Sequence, residues 1–115
     1  MATACEMAGT ATPQKNNSIS FLPTLTNTPA NQESHKYLYW EFYERTFRQA
    51  VIMGDWKLIR SGMDNQRLEL YDLSKDIHED EDLVKVHPAI VQRMISHMEE
   101  AHEPHSNWPT PRQKK

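Results

Sequence analysis

Arg48-Gln-Ala-Val-Ile-Met53, Gly54-Asp55 and Trp56-Lys-Leu-Ile-Arg60 read as two short strands joined by a two-residue turn. Aliphatic, β-branched and aromatic side chains fill both arms, as a half-buried pleated surface favours. A tight hairpin turn needs a positive φ at its first central position, and glycine adopts one without a Cβ penalty. Gly54-Asp55 is therefore a turn of the Gly-first kind, and the two arms are expected to pair antiparallel.

The alternation continues on both sides of this hairpin. In Tyr37-Leu-Tyr-Trp-Glu-Phe42, Leu38, Trp40 and Phe42 share one face while Tyr37, Tyr39 and Glu41 share the other, as a strand requires. Downstream, the polar turn Ser61 to Asn65 leads into Leu68-Glu-Leu-Tyr-Asp-Leu73. Four antiparallel strands then form one sheet, whose apolar face needs a cover. The cover is a helix opening at His87-Pro88: His87 is expected to cap it, Pro88 suits its first turn, and Ile90, Val91, Met94, Ile95 and Met98 recur at helical spacing. The expected fold class is α+β, a four-stranded antiparallel sheet covered by a C-terminal helix.

The N-terminal third differs in composition. Residues Ala2 to Ala8 suit a short helix closed by Gly9. Ala11 to Glu33 is rich in Thr, Asn and Pro, with Ile19, Phe21, Leu22 and Leu25 as its anchors, and reads as connecting loop with one helical turn at Phe21 to Leu25. After Ala101 the chain is Pro-rich and polar, an extended tail in which Trp108 is expected to dock. The expected organisation is a connecting segment over 1–34, a folded unit over 35–104 and a tail over 105–115.

Composition narrows the function. The chain has 115 residues, 37% hydrophobic and 25% charged, with a mean hydropathy of −0.80, which suits one small soluble domain. Thirteen basic against sixteen acidic residues leave a formal charge of −3, and the basic residues cluster only at the C-terminal tail, so nucleic acid is not expected as a partner. No apolar run approaches the roughly 18 residues that span a bilayer, and no membrane partner is expected. The opening MATACEMAGTATP lacks the basic and long apolar regions of a signal peptide. A lone cysteine, Cys5, leaves the redox compartment open.

Constellations that could carry chemistry have ordinary structural explanations. His97 and His102 stand five apart on a helix and diverge by about 140°, whereas a helical zinc pair needs spacing i, i+4. The acidic run Asp76-Ile-His-Glu-Asp-Glu-Asp82 lacks the glycine and ligand order of an EF-hand and reads as a solvated turn. Cys5 has Glu6 beside it and no cation or histidine to lower its pKa, so it is not an evident nucleophile. Taken residue by residue, this is a small α+β module without an active site of its own.

The ordered series Ala2-Thr-Ala-Cys-Glu-Met-Ala-Gly9, Ser18-Ile-Ser-Phe-Leu-Pro-Thr-Leu-Thr26, His35-Lys-Tyr-Leu-Tyr-Trp-Glu-Phe42, Arg48-Gln-Ala-Val51, Met53-Gly-Asp-Trp-Lys-Leu-Ile-Arg60, Leu68-Glu-Leu-Tyr-Asp-Leu73 and His87-Pro88 resembles the C-terminal third of type I sulfatases, the arylsulfatase A-like members of the alkaline phosphatase superfamily. The resemblance runs to about residue 104. It implies a larger sulfuric ester hydrolase whose N-terminal domain binds calcium and carries a formylglycine made from Cys or Ser. Those residues are expected outside this chain, because Cys5 is followed by Glu6-Met7-Ala8-Gly9 and not by the Pro and Arg of the activating motif. Catalytic and metal-ligating residues are therefore expected to be absent, and the chain alone inert.

By the same resemblance, the C-terminal sheet packs on the catalytic domain and helps shape a pocket for a sulfated sugar or aryl sulfate. The turn from Glu41 to Arg45, with Arg48 nearby, is the expected substrate-facing part, and Glu41, Tyr43 and Arg48 are its candidate substrate-binding residues. Relatives often have His where Tyr43 stands and Asp-Gly where Asn17-Ser18 stands. The family as a whole implies a periplasmic, secreted or lysosomal setting. The alternative from a different class is a stand-alone binding module that kept the sheet and lost the chemistry.

Overall fold

The computed structural model describes residues 1–14, 16–62 and 66–107. They form two compact units, Met1–His35 and Lys36 onward.

The first unit has little regular structure. Its helix α1 (Ala2–Met7) ends at Ala8, and Gly9 follows with φ +65°. Gly9 N–H donates to Glu6 O and Thr10 N–H to Cys5 O, the paired bonds of a Schellman closure, which requires a left-handed residue at Gly9. A single helical turn, α2 (Leu22–Leu25), follows, as the anchors at Phe21 to Leu25 led one to expect, and a 3₁₀ turn at Pro29–Asn31 that the sequence reading did not foresee comes after it. Side-chain bonds replace a core here. Ser18 Oγ accepts from Ala2 N–H at 2.9 Å, Thr3 Oγ1 from Phe21 N–H at 3.0 Å, and Gln32 Nε2 donates to Ser20 O at 2.8 Å.

The second unit is the expected sheet and helix. Strands β1 (Leu38–Phe42), β2 (Arg48–Met53), β3 (Trp56–Ser61) and β4 (Arg67–Asp72) pair antiparallel in sequence order. Met53 faces Trp56 across the Gly54-Asp55 turn, and Gly54 has φ +59°, the conformation its position demanded. Asn65, the last residue of the expected polar turn, lies outside the described residues, as does Trp108.

Helix α3 (Pro88–Ala101) covers one sheet face, with Val91, Met94 and Met98 buried against Val51, Leu58 and Leu70. These six side chains are the core, and Ile90 and Ile95 pack at its rim. His87 occupies the N-cap position, but its side chain makes no capping bond; the ring packs edge-on against Trp56 at 5.0 Å while its carbonyl accepts from Val91 N–H.

The structure settles one point the alternation left open and refines one expectation. The aliphatic and aromatic face of β1 points away from the helix: Leu38, Trp40 and Phe42 are exposed, and Tyr39 and Glu41 turn inward. The Asp76–Asp82 run is also more than a solvated turn. Asp76 accepts from Asp80 and Glu81 N–H, Glu79 pairs with Lys57, and Asp82 Oδ1 accepts from Leu70 N–H at 3.0 Å. With Leu83 N–H bonded to Leu70 O at 2.7 Å, this segment straps the outer edge of β4. Edge strands left bare invite pairing with other chains, so a strap of this kind protects one side of the sheet.

Candidate functional site

The register of the sheet places Glu41, Gln49 and Arg60 in one row on the face toward α3. Tyr39 stands one row further along that face, and Tyr43 follows directly after β1. Gln49 and Arg60 are buried at 2% and 8% exposure, so their polar groups must find partners inside the protein. Arg60 donates from Nε and Nη2 to Gln49 Oε1, and Gln49 Nε2 in turn donates to the Tyr39 hydroxyl and to Glu41 Oε1.

Glu41 is the hub. Its Oε1 accepts from Tyr39 Oη, from Gln49 Nε2 at 3.2 Å and from His102 Nδ1; its Oε2 accepts from Tyr43 Oη at 2.7 Å. Four donors of this chain therefore converge on one carboxylate, three on Oε1 and one on Oε2. Burial raises the Glu41 pKa, but the bonds from Tyr39, Tyr43, His102 and Gln49 outweigh it and hold the carboxyl below the ordinary glutamate value. The partners shift the other way. Burial and the adjacent carboxylate push Tyr43 up to about 12 and Tyr39 further still, so both phenols stay protonated and keep donating.

His102 caps the C-terminal end of α3 and reaches Glu41 on β1. Since the carboxylate can only accept, Nδ1 carries the proton and donates. Nε2 of His102 and Nε2 of His97 are buried without a hydrogen-bond partner. His97 stacks on Tyr37 with ring centroids 4.5 Å apart, so the two helix histidines serve separate neighbours. Among the described residues no group of three or more His, Cys, Asp or Glu is placed to hold a metal ion, and no helix is long and apolar enough to cross a membrane.

The turn after β1 is built around strain. Arg45 has φ +59°, and Thr46 N–H donates to Glu44 O, the i to i+2 bond of a γ-turn centred on Arg45. A non-glycine residue in this conformation costs about 1–3 kcal/mol and is held by its surroundings. Phe47, buried at 2%, supplies the hold: its ring packs on Tyr43 at 5.1 Å and its carbonyl accepts from Gly62 N–H at 3.0 Å.

Between this turn and the end of α3 lies a cleft of about 460 Å³ lined by Glu41, Phe42, Tyr43, Glu44, Glu103, Pro104 and His105. Of the three candidate residues read from the sequence, Glu41 and Tyr43 therefore meet at the cleft. Arg48 does not join them: it is exposed and lies opposite Phe42 in the register, on the other face of the sheet. Residues that escaped sequence reasoning are His102, which closes the hub from sixty-one positions away, and Phe47, which braces the turn.

The N-sulphoglucosamine sulphohydrolase C-terminal family matches residues 1–104 of this chain. Searched against curated proteins, the chain finds no match. Among solved structures, one assigned as a sulfatase of Bacteroides thetaiotaomicron VPI-5482 is similar over 85% of this chain and 22% of its own, with 30% identity and a TM-score of 0.73. Another, solved in complex with its substrate D-glucosamine-2-N,6-O-disulfate, has 24% identity and a TM-score of 0.69 over 86% of this chain and 22% of its own. A third, solved in connection with the metabolism of multiple glycosaminoglycans by B. thetaiotaomicron, has 24% identity and a TM-score of 0.65 over 86% of this chain and 23% of its own. The last two are likenesses of fold. The chain thus spans about a fifth of the length of the sulfatase structures it matches. A family match from Met1 to Pro104, on a fold shared with solved sulfatases, makes this chain a member of the N-sulphoglucosamine sulphohydrolase C-terminal family.

Proposed function

We propose that the chain is the C-terminal subdomain of a sulfuric ester hydrolase, that it packs on the catalytic domain, and that its β1–β2 turn forms one wall of a pocket for a sulfated sugar. The observation that carries the reading is Tyr43, which lines the cleft and is held by Glu41, a glutamate engaged by four donors of this chain. In this arrangement Glu41 acts on substrate through Tyr43. It fixes the phenol, whose oxygen can still accept from a sugar hydroxyl or amide while the ring packs on the sugar's apolar face.

The carboxylates of Glu44 and Glu103 line the same cleft. They repel sulfate and accept from hydroxyl or amino groups, so the ring's unsulfated edge faces this chain and the sulfate being cleaved faces the catalytic domain. Calcium and formylglycine, which the resemblance implies, belong on this reading to the catalytic domain, since Cys5 on α1 is followed by Glu6 and Met7 and not by the Pro and Arg of the activating motif. On the same reading the 115 residues alone are inert.

A chimera tests the reading. With these residues replacing the matching part of the B. thetaiotaomicron sulfatase, sulfate release should persist, and Tyr43→Ala should raise KM about tenfold while kcat stays within about twofold. An unchanged KM would contradict a role in the pocket.

A further inference from the structure

We infer that His102 is a positioning residue for the cleft, and that the single carboxylate of Glu41 sets the spacing between the cleft's two sides. This rests on the reading above, that a sulfated sugar occupies the cleft, and adds the device that fixes its width. One side is the end of β1 and its turn, through Phe42, Tyr43 and Glu44; the other is the segment after α3, through Glu103, Pro104 and His105. Each side is tied to a different oxygen of one group. Tyr43 Oη donates to Glu41 Oε2 at 2.7 Å, and His102 Nδ1 donates to Oε1.

Both ends of this clamp are anchored. Glu41 is gripped from behind by Tyr39 and by Gln49, a buried side chain that Arg60 holds in turn, so the carboxylate has no freedom to swing toward one side. His102 is the C-cap of α3, where the backbone turns extended with φ −69° and ψ 121°. Its N–H still donates to Met98 O at 3.1 Å, and Met98 is fully buried in the core. The backbone of His102 is thereby fixed to the helix and its ring to the sheet.

The chain beyond this point is stiff enough to carry the position of His102 to the cleft. Pro104 has its φ locked by the ring, and its Cδ drives the preceding Glu103 into extended backbone. On the other side Tyr43 is braced independently, by the Phe47 ring at 5.1 Å. Loss of the His102 bond therefore frees the Glu103 side alone. The tautomer sharpens the assignment. Nδ1 makes the bond, while Nε2 is buried without a hydrogen-bond partner among the described residues, so only a donor at the Nδ1 position replaces it. Asparagine presents its amide nitrogen at that position, and glutamine one atom further out.

The test uses the chimera described above. His102→Ala should raise KM about fivefold with kcat within about twofold, His102→Asn should return KM to within about twofold of the unmutated chimera, and His102→Gln should behave as alanine. A residue that only stabilised the helix end would act independently of Tyr43. A clamp does not: His102→Ala combined with Tyr43→Ala should raise KM about fifteenfold, short of the roughly fiftyfold product of the single effects. A second measurement needs no partner. On the 115-residue chain, backbone order parameters of Glu103 and His105 should fall from about 0.8 to below about 0.6 in His102→Ala and recover in His102→Asn, with Ile59 on β3 near about 0.85 throughout. Unchanged order parameters, or an unchanged KM for His102→Ala beside a raised KM for Tyr43→Ala, would overturn the inference and leave the reading of the cleft intact. Loss of sulfate release from the unmutated chimera, or an unchanged KM for Tyr43→Ala, would overturn the reading of the cleft and with it the role of His102 toward substrate.

Discussion

Glu41, on the edge strand β1, and His102, the residue that ends α3, meet through Oε1 and Nδ1 although sixty-one positions separate them. The bond ties α3, the only long helix among the described residues of the second unit, to the hairpin that carries Tyr43. It joins the core to the cleft: α3 covers the core through Val91, Met94 and Met98, and the residues that follow it, Glu103 to His105, line one side of the cleft.

Removing the hub should be costly. Glu41→Ala removes the acceptor shared by Tyr39, Tyr43, Gln49 and His102, so that the half-buried Tyr39 hydroxyl and His102 Nδ1 lose the bond this carboxylate gives them, and should lower stability by about 2–3 kcal/mol. Glu41→Gln, which keeps the shape but brings an NH₂ group against donors, should cost about half as much. Urea denaturation reads both, and a loss under about 0.5 kcal/mol for Glu41→Ala would show that the network contributes nothing net.

Acid should act through the same group. The folded-state pKa of Glu41 lies below its ordinary value of 4.5. Its stabilisation is therefore fully present above that value and is lost as pH falls through the lower folded value, because the unfolded chain takes up the proton first. Asp72, held down chiefly by the Ser74 hydroxyl, and Asp76, held down chiefly by the Glu81 N–H, share this sign. The urea midpoint should hold steady from neutral pH to about pH 5 and decline below it, and Glu41→Gln should show a shallower decline than wild type.

Gly54→Ala isolates a backbone effect. A Cβ at this position would meet nothing within 4 Å, so sterics with neighbours play no part, and the cost comes from φ +59° alone. It should amount to about 1–2 kcal/mol, with Gly54→Asn costing less because asparagine tolerates the left-handed region. Equal midpoints for wild type and Gly54→Ala would mean that the turn relaxes into another form.

Leu58 is fully buried between the sheet and α3, whereas Ile77 is 76% exposed. Leu58→Ala should cost about 3 kcal/mol, enough to unfold much of so small a unit at 37 °C. Ile77→Ala should change thermal stability by less than about 0.5 kcal/mol. Thermal melts of the two variants check the contrast.

Much of this architecture was legible in the residues. Gly54-Asp55 sets the β2–β3 register, and that register alone brings Gln49 opposite Arg60. The helical spacing from Ile90 to Met98 shows which side of α3 is buried. Period-two alternation, however, says which residues of β1 share a face and not which face is inward. Tyr39 and Glu41 turn in because a buried Gln49–Arg60 pair awaits them, while Leu38, Trp40 and Phe42 turn out. That outcome depends on contacts from β2 and β3 that no local pattern encodes. His102 was hidden for a related reason. As one of a helical histidine pair it invited comparison with zinc ligands, and its true partner lies on the first strand. Arg48 was placed near the turn by sequence distance, yet strand alternation sends it to the opposite face from Glu41.

The most direct measurement is sulfate release by the purified 115-residue chain, assayed with an aryl sulfate and with glucosamine N-sulfate. On the proposal that the nucleophile and the metal belong to the catalytic domain, no release above the buffer rate is expected from this chain, and activity should appear only when the catalytic part is supplied. Sustained turnover by the chain alone, suppressed by an aldehyde-trapping reagent, would contradict the account.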